Sequence, residues 1–359
     1  MENKMKKQII TTFVIIVISS LLIGQNSRMG SASSTQLLVV PSAKHLSGGG
    51  AAATATGMDA TFWNPAGLAN SENNIDAIFS NRQYIADITN SFFGVATAIG
   101  EYKMGLNVRT FNMGDIDETT VWYPDGTGQV FTPNFSVIGA TFARRLSDNT
   151  TVGLNTNVIR ESFGRVAATG VAYDLGVQYK GLLGREGLDV GFVLKNFGSP
   201  MKYDGEGLGV IATATGSDRP EEYYKVDAQP FDLPFAFDMG ISYNVAGADL
   251  GMTYTSNYYA TDELKLSVGY VLDGLGSVGV GFQTSGAAQE IEHHDDDHDH
   301  GDEDWYTNPS DGVSFGASLD VSRFVGMNMS VDYSMLPMGD FGTNSVLACL
   351  LYTSPSPRD

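Results

Sequence analysis

A histidine- and acid-rich segment near the C-terminal end carries the side chains best suited to chemistry. Residues 290–304 hold four of the five histidines and nine of the 41 acidic residues. Imidazole nitrogens and carboxylate oxygens are ligands for zinc, nickel and copper. The spacing is that of a low-complexity run rather than of a closed tetrahedral site, so a solvated external loop is the favoured interpretation and weak divalent-metal binding is the alternative. The weak metal candidates are His293, His294, His298 and His300.

Catalytic chemistry has little support elsewhere in the chain. His45 is the only histidine outside that segment, and neither a His-Glu-x-x-His pattern nor a Walker loop occurs. Carboxylates alone could do acid–base work, but nothing singles out a pair. We therefore expect no catalytic residues, no cofactor and no enzymatic activity.

Composition and charge narrow the class of protein further. The 359 residues carry a formal net charge of −20, which argues against a nucleic-acid binder. Glycine occupies 42 positions and aromatic residues 11%. After the first 25 residues, no run approaches the roughly 20 apolar residues of a membrane-spanning helix. A large β-structure remains, either a soluble sandwich or propeller or an outer-membrane barrel.

Period-two alternation is the dominant pattern from about residue 75 onward. Tyr173, Leu175 and Val177 fall on one face of a strand, while Asp174 and Gln178 fall on the other. These runs last about 10 residues, which suits a tilted strand that crosses a bilayer. The apolar faces suit lipid, and the faces rich in Gly, Ser, Asn and Asp suit a polar or tightly packed lumen. The predicted strands are 75–83, 90–99, 103–112, 130–146, 151–164, 168–180, 187–197, 233–245, 248–258, 263–272, 276–286, 312–321, 326–336 and a fourteenth from 344.

The connections between these strands alternate in length. The long ones, at about 113–129, 198–232 and 287–311, follow the third, seventh and eleventh strands, and brief turns follow the even-numbered strands. A membrane barrel with short periplasmic turns and long external loops has this parity. The inner and outer faces of a soluble sandwich remain the alternative, which the export signal and the lack of a native cysteine disfavour.

The two ends of the chain have their own interpretations. Residues 1–25 read as a signal peptide, with a positive start before an apolar stretch, so we expect a cleaved exported protein. Residues 349–359 resemble one reading frame of a sequencing adapter and are expected to be non-native, including Cys349, the only cysteine. The last native strand is then truncated, yet we expect about 344–353 to pair with 75–83 and the chain to leave the sheet at Pro355, which cannot donate to a ladder.

A specific resemblance begins in the segment that precedes the first strand. The stretch Asp59-Ala60-Thr61-Phe62-Trp63-Asn64-Pro65-Ala66-Gly67-Leu68-Ala69 resembles the N-terminal hallmark of the PorV/PorQ family of outer-membrane barrels, which is similar to the wider FadL-type barrels. Further matches run from Leu194 to Tyr203 and from Leu233 to Tyr243, so the likeness extends over about 36–348. The acidic insertion at 287–311 departs from the family.

The resemblance implies an all-β protein, a transmembrane antiparallel barrel of about 14 strands with an N-terminal hatch inside. The expected hatch motif is Trp63, Asn64, Pro65 and Gly67, in a hatch segment at 26–74 before a barrel at 75–348. Large aromatics beside the Asn-Pro turn argue against a flexible linker there.

Two functions remain open under this resemblance. The first is protein secretion or surface attachment of cargo, as in type IX secretion, with secretion subunits, exported cargo and the outer-membrane bilayer as partners. The alternative is a FadL-like channel for hydrophobic small molecules. A channel needs an apolar lumen that leads past the hatch, whereas a cargo-holding protein needs an exposed external rim.

Overall fold

Fourteen long antiparallel strands form the main sheet of the part of the chain that the structure describes. The structure, a computed structural model, describes residues 28–85, 88–212, 222–285, 308 and 310–353. The strands are β1 Ile75–Gln83, β2 Thr89–Ile99, β3 Tyr102–Asn112, β4 Asn134–Arg145, β5 Thr150–Phe163, β6 Val166–Tyr179, β7 Leu188–Gly198, β8 Ala236–Val245, β9 Ala248–Asn257, β10 Glu263–Leu272, β11 Gly276–Ser285, β12 Gly312–Asp320, β13 Met329–Pro337 and β14 Thr343–Thr353.

The strands close on themselves into a barrel. Each pairs antiparallel with its neighbour in the chain, and β1 pairs with β14 from Ile75 opposite Thr353 to Gln83 opposite Ser345. The predicted 14-stranded barrel and the pairing of 344–353 with the first strand are therefore confirmed. The tail from residue 354 lies outside the described residues, and the adapter origin of 349–359 stays a prediction.

The two faces of the wall follow the predicted alternation. Along β6, Tyr173, Leu175 and Val177 are exposed on the outer surface, whereas Asp174 and Gln178 are buried inside the barrel. This is the reverse of a soluble protein, in which apolar side chains fill the interior, and it suits a wall that meets lipid.

Proline explains two of the strand starts that differ from the prediction. The predicted strand 130–146 is divided into a short loop strand, Val130–Phe131, and β4, because Pro133 has no N–H to donate to a ladder. The predicted strand 233–245 begins only at Ala236. Pro234 stands two residues before that strand and likewise lacks the donor.

The connections keep the predicted parity of length. We call the end reached after odd-numbered strands the long-loop end and the opposite end the short-turn end. Between β12 and β13 a helical turn, Ser322–Val325, ends at Gly326 with φ 74°, so β13 starts later than the predicted 326. Paired short strands in the long loops are Ile116–Asp117 with Val130–Phe131, and Gly209–Ala212 with Glu222–Lys225. Another, Asp204–Gly205, pairs with β6.

Helical segments among the described residues are three to six residues long. In the part of the chain that the structure describes, no helix is long and apolar enough to span a membrane. The short helical segments before β1 are Thr35–Leu38, Lys44–Ser47, Gly49–Thr54, Gly57–Asp59, Ala60–Trp63 and Pro65–Asn70. Those in later loops are Leu182–Gly184, Glu206–Leu208, Ser322–Val325 and Gly339–Phe341.

Candidate functional site

Residues 28–74, the N-terminal segment, run through the barrel from one end to the other. At the long-loop end, the Gly30 N–H donates to the Tyr259 carbonyl at 3.0 Å and the Ser33 N–H donates to the Asp232 carbonyl at 3.1 Å. At the short-turn end, the Asn74 N–H donates to the Thr353 carbonyl at 3.1 Å before β1 begins. The segment therefore crosses the whole lumen, which is the position that a hatch requires.

Asn64 ties the middle of the segment to the wall. Its Nδ2 donates to the carbonyl of Ala53 at 2.8 Å and to those of Val177 and Phe192, on β6 and β7, at 3.3 Å each. Its Oδ1 accepts from the Ala66 N–H at 3.2 Å and so caps the turn Pro65–Asn70. The fully buried side chain thus joins the segment to two strands at once.

Pro65 and Gly67 shape the turn that follows Asn64. Pro65 is the first residue of the turn, where its missing N–H costs nothing and its fixed φ favours the helical conformation. A Cβ at Gly67 would overlap the Ala55 carbonyl, so only glycine fits this close approach. The structure thus brings Asn64, Pro65 and Gly67 together as one rigid turn.

Trp63 and Phe62 form the aromatic centre of the segment. Their rings meet edge to face at a centroid distance of 4.9 Å. The Lys195 Nζ lies 4.5 Å from the Phe62 ring and 4.9 Å from the Trp63 ring, and the Arg109 guanidinium lies 5.1 Å from Phe62. Cations from two sides of the wall therefore pack against the buried rings.

A β-bulge places Lys195 at this aromatic centre. The register between β6 and β7 shifts next to Tyr173, and Asn196 takes a left-handed conformation with φ 57°. Lys195 and Asn196 both face the lumen as a result, and the Asn196 N–H donates to Asp174 at 2.7 Å. Lys195 also pairs with buried Asp238 at 3.6 Å.

Other inward polar side chains hold the segment, and sequence reasoning did not single them out. Gln178 donates to the carbonyls of Ala53 and Ala55 at 3.2 and 2.9 Å. Asn70 donates to Thr151 and Gln178 at 3.1 and 2.8 Å. The sequence signal that could have indicated them is the occurrence of polar residues with long side chains at inward positions of the strands. In a water-filled lumen such side chains would need no protein partner.

A buried carboxylate fastens the segment at the long-loop end. Glu161 on β5 accepts hydrogen bonds from Ser34, from Gln36 at 2.5 Å and from the Tyr203 hydroxyl at 2.5 Å. Burial, together with Glu161, raises the pKa of Tyr203, so the phenol keeps its proton and remains a donor. The long loop after β7 and the N-terminal segment are thereby joined at one acceptor.

A cavity of about 410 Å³, the outer cavity, opens between the segment and the wall at the long-loop end. Apolar side chains form the larger part of its lining. The charged lining residues are Arg82, Glu263 and Lys265, and the uncharged polar ones include Thr35, Gln36, Gln283 and Ser310. Glu263 and Lys265 form an ion pair at 2.6 Å. The main apolar lining residues are Leu38, Val40, Phe111, Met113, Phe135 and Leu336.

A second cavity of about 250 Å³, the inner cavity, lies toward the short-turn end and is polar. Its lining includes Lys44, Asp189, Asp249 and Asp332 together with serines of the wall strands. The inner cavity therefore has more polar and charged lining residues than the outer cavity.

The helical turn Lys44–Ser47 lies between the two cavities. A small gap of about 20 Å³ is lined by Leu46 and Lys265, which also line the outer cavity, and by His45, which also lines the inner cavity. Trp63 closes the gap and meets His45 at a ring distance of 6.1 Å. The gap holds about one water molecule, so solutes cannot pass in this conformation.

His45 stays neutral in this position. Burial lowers its pKa from 6.5 to about 3, with nearby Lys44 acting in the same direction. Nδ1 lies 3.4 Å from the Gly48 carbonyl, and a carbonyl can only accept, so this nitrogen carries the proton. Burial also raises the pKa of Asp59 in the same segment.

The metal candidates His293, His294, His298 and His300 lie outside the described residues. Among the residues that are described, no group of three or more His, Cys, Asp or Glu side chains could hold a metal ion. The weak metal site stays a prediction.

Two short glycine patterns resemble catalytic motifs but lack their structural context. Residues 312–316 read Gly-Val-Ser-Phe-Gly and residues 274–279 read Gly-Leu-Gly-Ser-Val-Gly. A nucleophile elbow or a dinucleotide loop needs a helix directly after the turn. The first lies within β12, where Ser314 donates to the Leu46 carbonyl at 3.1 Å, and the second leads into β11.

Comparison with solved structures identifies the fold. The protein resembles the CymD monoaromatic hydrocarbon channel, with TM-score 0.55, 14% identity and coverage of 89% of this chain and 99% of that one. It also resembles the Ralstonia pickettii toluene transporter TbuX, with TM-score 0.51, 12% identity and coverage of 87% and 97%. A third is the P. putida toluene transporter TodX, with TM-score 0.50, 11% identity and coverage of 92% and 100%.

The protein therefore shares the β-barrel fold of these three structures. No family model matches the sequence, and no curated protein matches it. The PorV/PorQ assignment accordingly has no support beyond the sequence resemblance.

Proposed function

We propose that this protein is a non-enzymatic outer-membrane channel that admits hydrophobic small molecules. The observation that carries the proposal is the largely apolar outer cavity, which ends on the N-terminal segment rather than on solvent. From the sequence alone, a channel for hydrophobic small molecules was the alternative to a role in protein secretion. The similarity to hydrocarbon channels supports the channel better than the secretion role.

The route follows from the positions of the two cavities. A solute enters the outer cavity at the long-loop end, moves past Leu46 and Trp63, and reaches the inner cavity beside His45. The gap between them is too small for a solute, so the helical turn Lys44–Ser47 must move for passage. The N-terminal segment is thus a gate as well as a plug.

Placement in the outer membrane rests on the outer surface and on the predicted export signal. The outer face of the wall exposes Phe79, Phe93, Leu106, Ile138 and Leu175, which suit lipid. Residues 1–27 lie outside the described residues, so cleavage of the signal stays a prediction.

Uptake of labelled toluene by cells that carry the protein in their outer membrane tests the channel. Val39→Trp places a large ring into the outer cavity and is expected to lower uptake about tenfold or more. Val121→Trp is the matched control, since Val121 is 93% exposed at a loop tip. Equal uptake by cells with and without the protein would overturn the proposal.

Secretion or cargo attachment of the PorV/PorQ type is the second candidate, because the long-loop end has an exposed aromatic rim. Trp122 is 86% exposed, and Val121 and Tyr123 beside it are also exposed at the tip of the loop between β3 and β4. Exported cargo and secretion subunits would be the partners. Trp122→Ala with Tyr123→Ala would then lose proteins that co-purify from outer membranes, whereas toluene uptake would stay unchanged.

A further inference from the structure

We propose that the outer cavity selects aromatic carboxylates and that Arg82 is the residue that recognises the carboxylate. The inference rests on the proposed channel function and specifies the chemical class of its solute. It starts from the one arginine that lines the cavity.

Arg82 is a buried cation without an anionic partner in the part of the chain that the structure describes. It is only 4% exposed, its guanidinium packs over the Tyr84 ring at 5.0 Å and its Nη1 donates to the Val40 carbonyl at 2.7 Å. Its Nε has no hydrogen-bond partner. Two buried lysines of the wall strands differ from Arg82, since Lys195 pairs with Asp238 and Lys265 pairs with Glu263.

A buried, unpaired guanidinium is costly unless a ligand supplies the missing charge. Its planar fork of donors matches the two oxygens of a carboxylate. Asn90 stands opposite Arg82 across the ladder of β1 and β2, is fully buried, and neither its Oδ1 nor its Nδ2 has a partner. Arg82, which lines the cavity, and its neighbour Asn90 on β2 therefore both have buried polar atoms without a hydrogen-bond partner among the described residues.

The remainder of the cavity fits an aromatic body. Phe111, Phe135 and Leu336 line it, and Tyr84 lines it beside Arg82. Its volume of about 410 Å³ is more than twice that of the roughly 150 Å³ apolar cavity that binds benzene. A substituted ring fits, with its carboxylate toward Arg82 and its ring among the apolar side chains.

Titration calorimetry on the full-length protein in detergent tests the assignment with benzoate, benzyl alcohol and toluene as probes at pH 7. Benzoate is expected to bind at least tenfold more tightly than either neutral ligand, since a charge-assisted bond to a buried group is worth that much. Arg82→Leu should abolish this preference by weakening benzoate alone. Arg82→Lys keeps the positive charge and should retain part of the preference for benzoate.

Arg160→Leu is the matched control, because Arg160 lies on the exposed outer face of β5. It should leave all three affinities within twofold. If toluene bound to the wild type as tightly as benzoate, the selection of carboxylates would be wrong, but the proposed channel function would stand. This comparison uses only the wild type, so it does not depend on the folding of a variant. Failure of all three ligands to bind would count against both, and an Arg82→Lys variant without benzoate preference would overturn the carboxylate contact.

Discussion

At the scale of single residues, the lumen is organised by side chains that hold the N-terminal segment rather than by groups that react. Asn64, Gln178 and Glu161 each make several hydrogen bonds across the boundary between segment and wall. Motif resemblance found Asn64. Residue type alone could not find Gln178 or Glu161, because a polar inward residue faces water in an open barrel and a protein partner only in a plugged one.

Asn64→Ala removes the amide that joins Ala53, Val177 and Phe192 and leaves their buried neighbourhood with an unfilled space. The expected loss is about 1–3 kcal/mol in the free energy of unfolding, the range for a buried hydrogen-bonding group that loses its partner. Urea unfolding in detergent measures it. Asn81→Ala on β1, which removes a wall bond to Ser91 at 3.0 Å, should lose less than about 1 kcal/mol. Equal losses would argue against a special role for Asn64.

His45 gives the segment a dependence on pH. Its pKa is about 3 in the folded protein and 6.5 when unfolded, so below pH 6.5 only the unfolded chain takes up the proton. The free energy of unfolding should therefore fall between pH 6.5 and about pH 3 because of this residue. The raised pKa of Asp59 has the opposite effect on the free energy of unfolding, and this effect is the same in the wild type and in a His45→Gln variant. His45→Gln should remove the His45 contribution in unfolding measurements at pH 7 and 4.5, and parallel curves for both proteins would contradict it.

At the scale of elements, the strands were predictable because one physical cause fixes each of them. The alternation of apolar and polar side chains predicts β1, β10 and the outward faces of the other strands. Prolines explain the later starts of β4 and β8, and the helical turn Ser322–Val325 explains that of β13. The bulge at Asn196 was not predictable, since both Lys195 and Asn196 are compatible with a regular strand. Only the contact of Lys195 with the aromatic centre explains it.

The last strand closes the barrel although its second half resembles adapter sequence. Cys349 to Thr353 pair with Ile75 to Phe79 on β1, so deleting 349–359 should leave five residues of β1 unpaired. Unpaired backbone groups in lipid cost several kcal/mol each, so heat-resistant migration on gels should be lost. Deleting 354–359 alone should preserve it, because Pro355 and Pro357 cannot donate to a ladder. Loss of resistance in both variants would show that closure extends past Thr353.

At the scale of the whole molecule, the protein is a barrel whose apolar outer face suits lipid and whose lumen holds the N-terminal segment and two cavities. The barrel and its strand number follow from local alternation, whereas the cavities depend on how the segment folds back through the lumen. Long-range contacts of this kind, such as Ser334 on β13 with the Ala43 carbonyl at 2.6 Å, leave no periodic trace in sequence. The outer cavity and the gap beside Trp63 therefore became visible only in the structure.

In the proposed channel, solutes pass only when the turn Lys44–Ser47 moves. Ser47 Oγ lies 3.2 Å from Ser334 Oγ, so Ser47→Cys with Ser334→Cys in a Cys349→Ser background can bond this turn to the wall. Asn81→Cys with Ser91→Cys, a pair between β1 and β2, is the control.

The decisive measurement is toluene uptake by cells carrying each cysteine pair, first oxidised and then reduced. A gate predicts uptake at least tenfold lower for the oxidised Ser47–Ser334 pair, full recovery on reduction, and no change for the Asn81–Ser91 pair. Uptake by the oxidised Ser47–Ser334 protein at the level of its reduced form would contradict passage past the N-terminal segment.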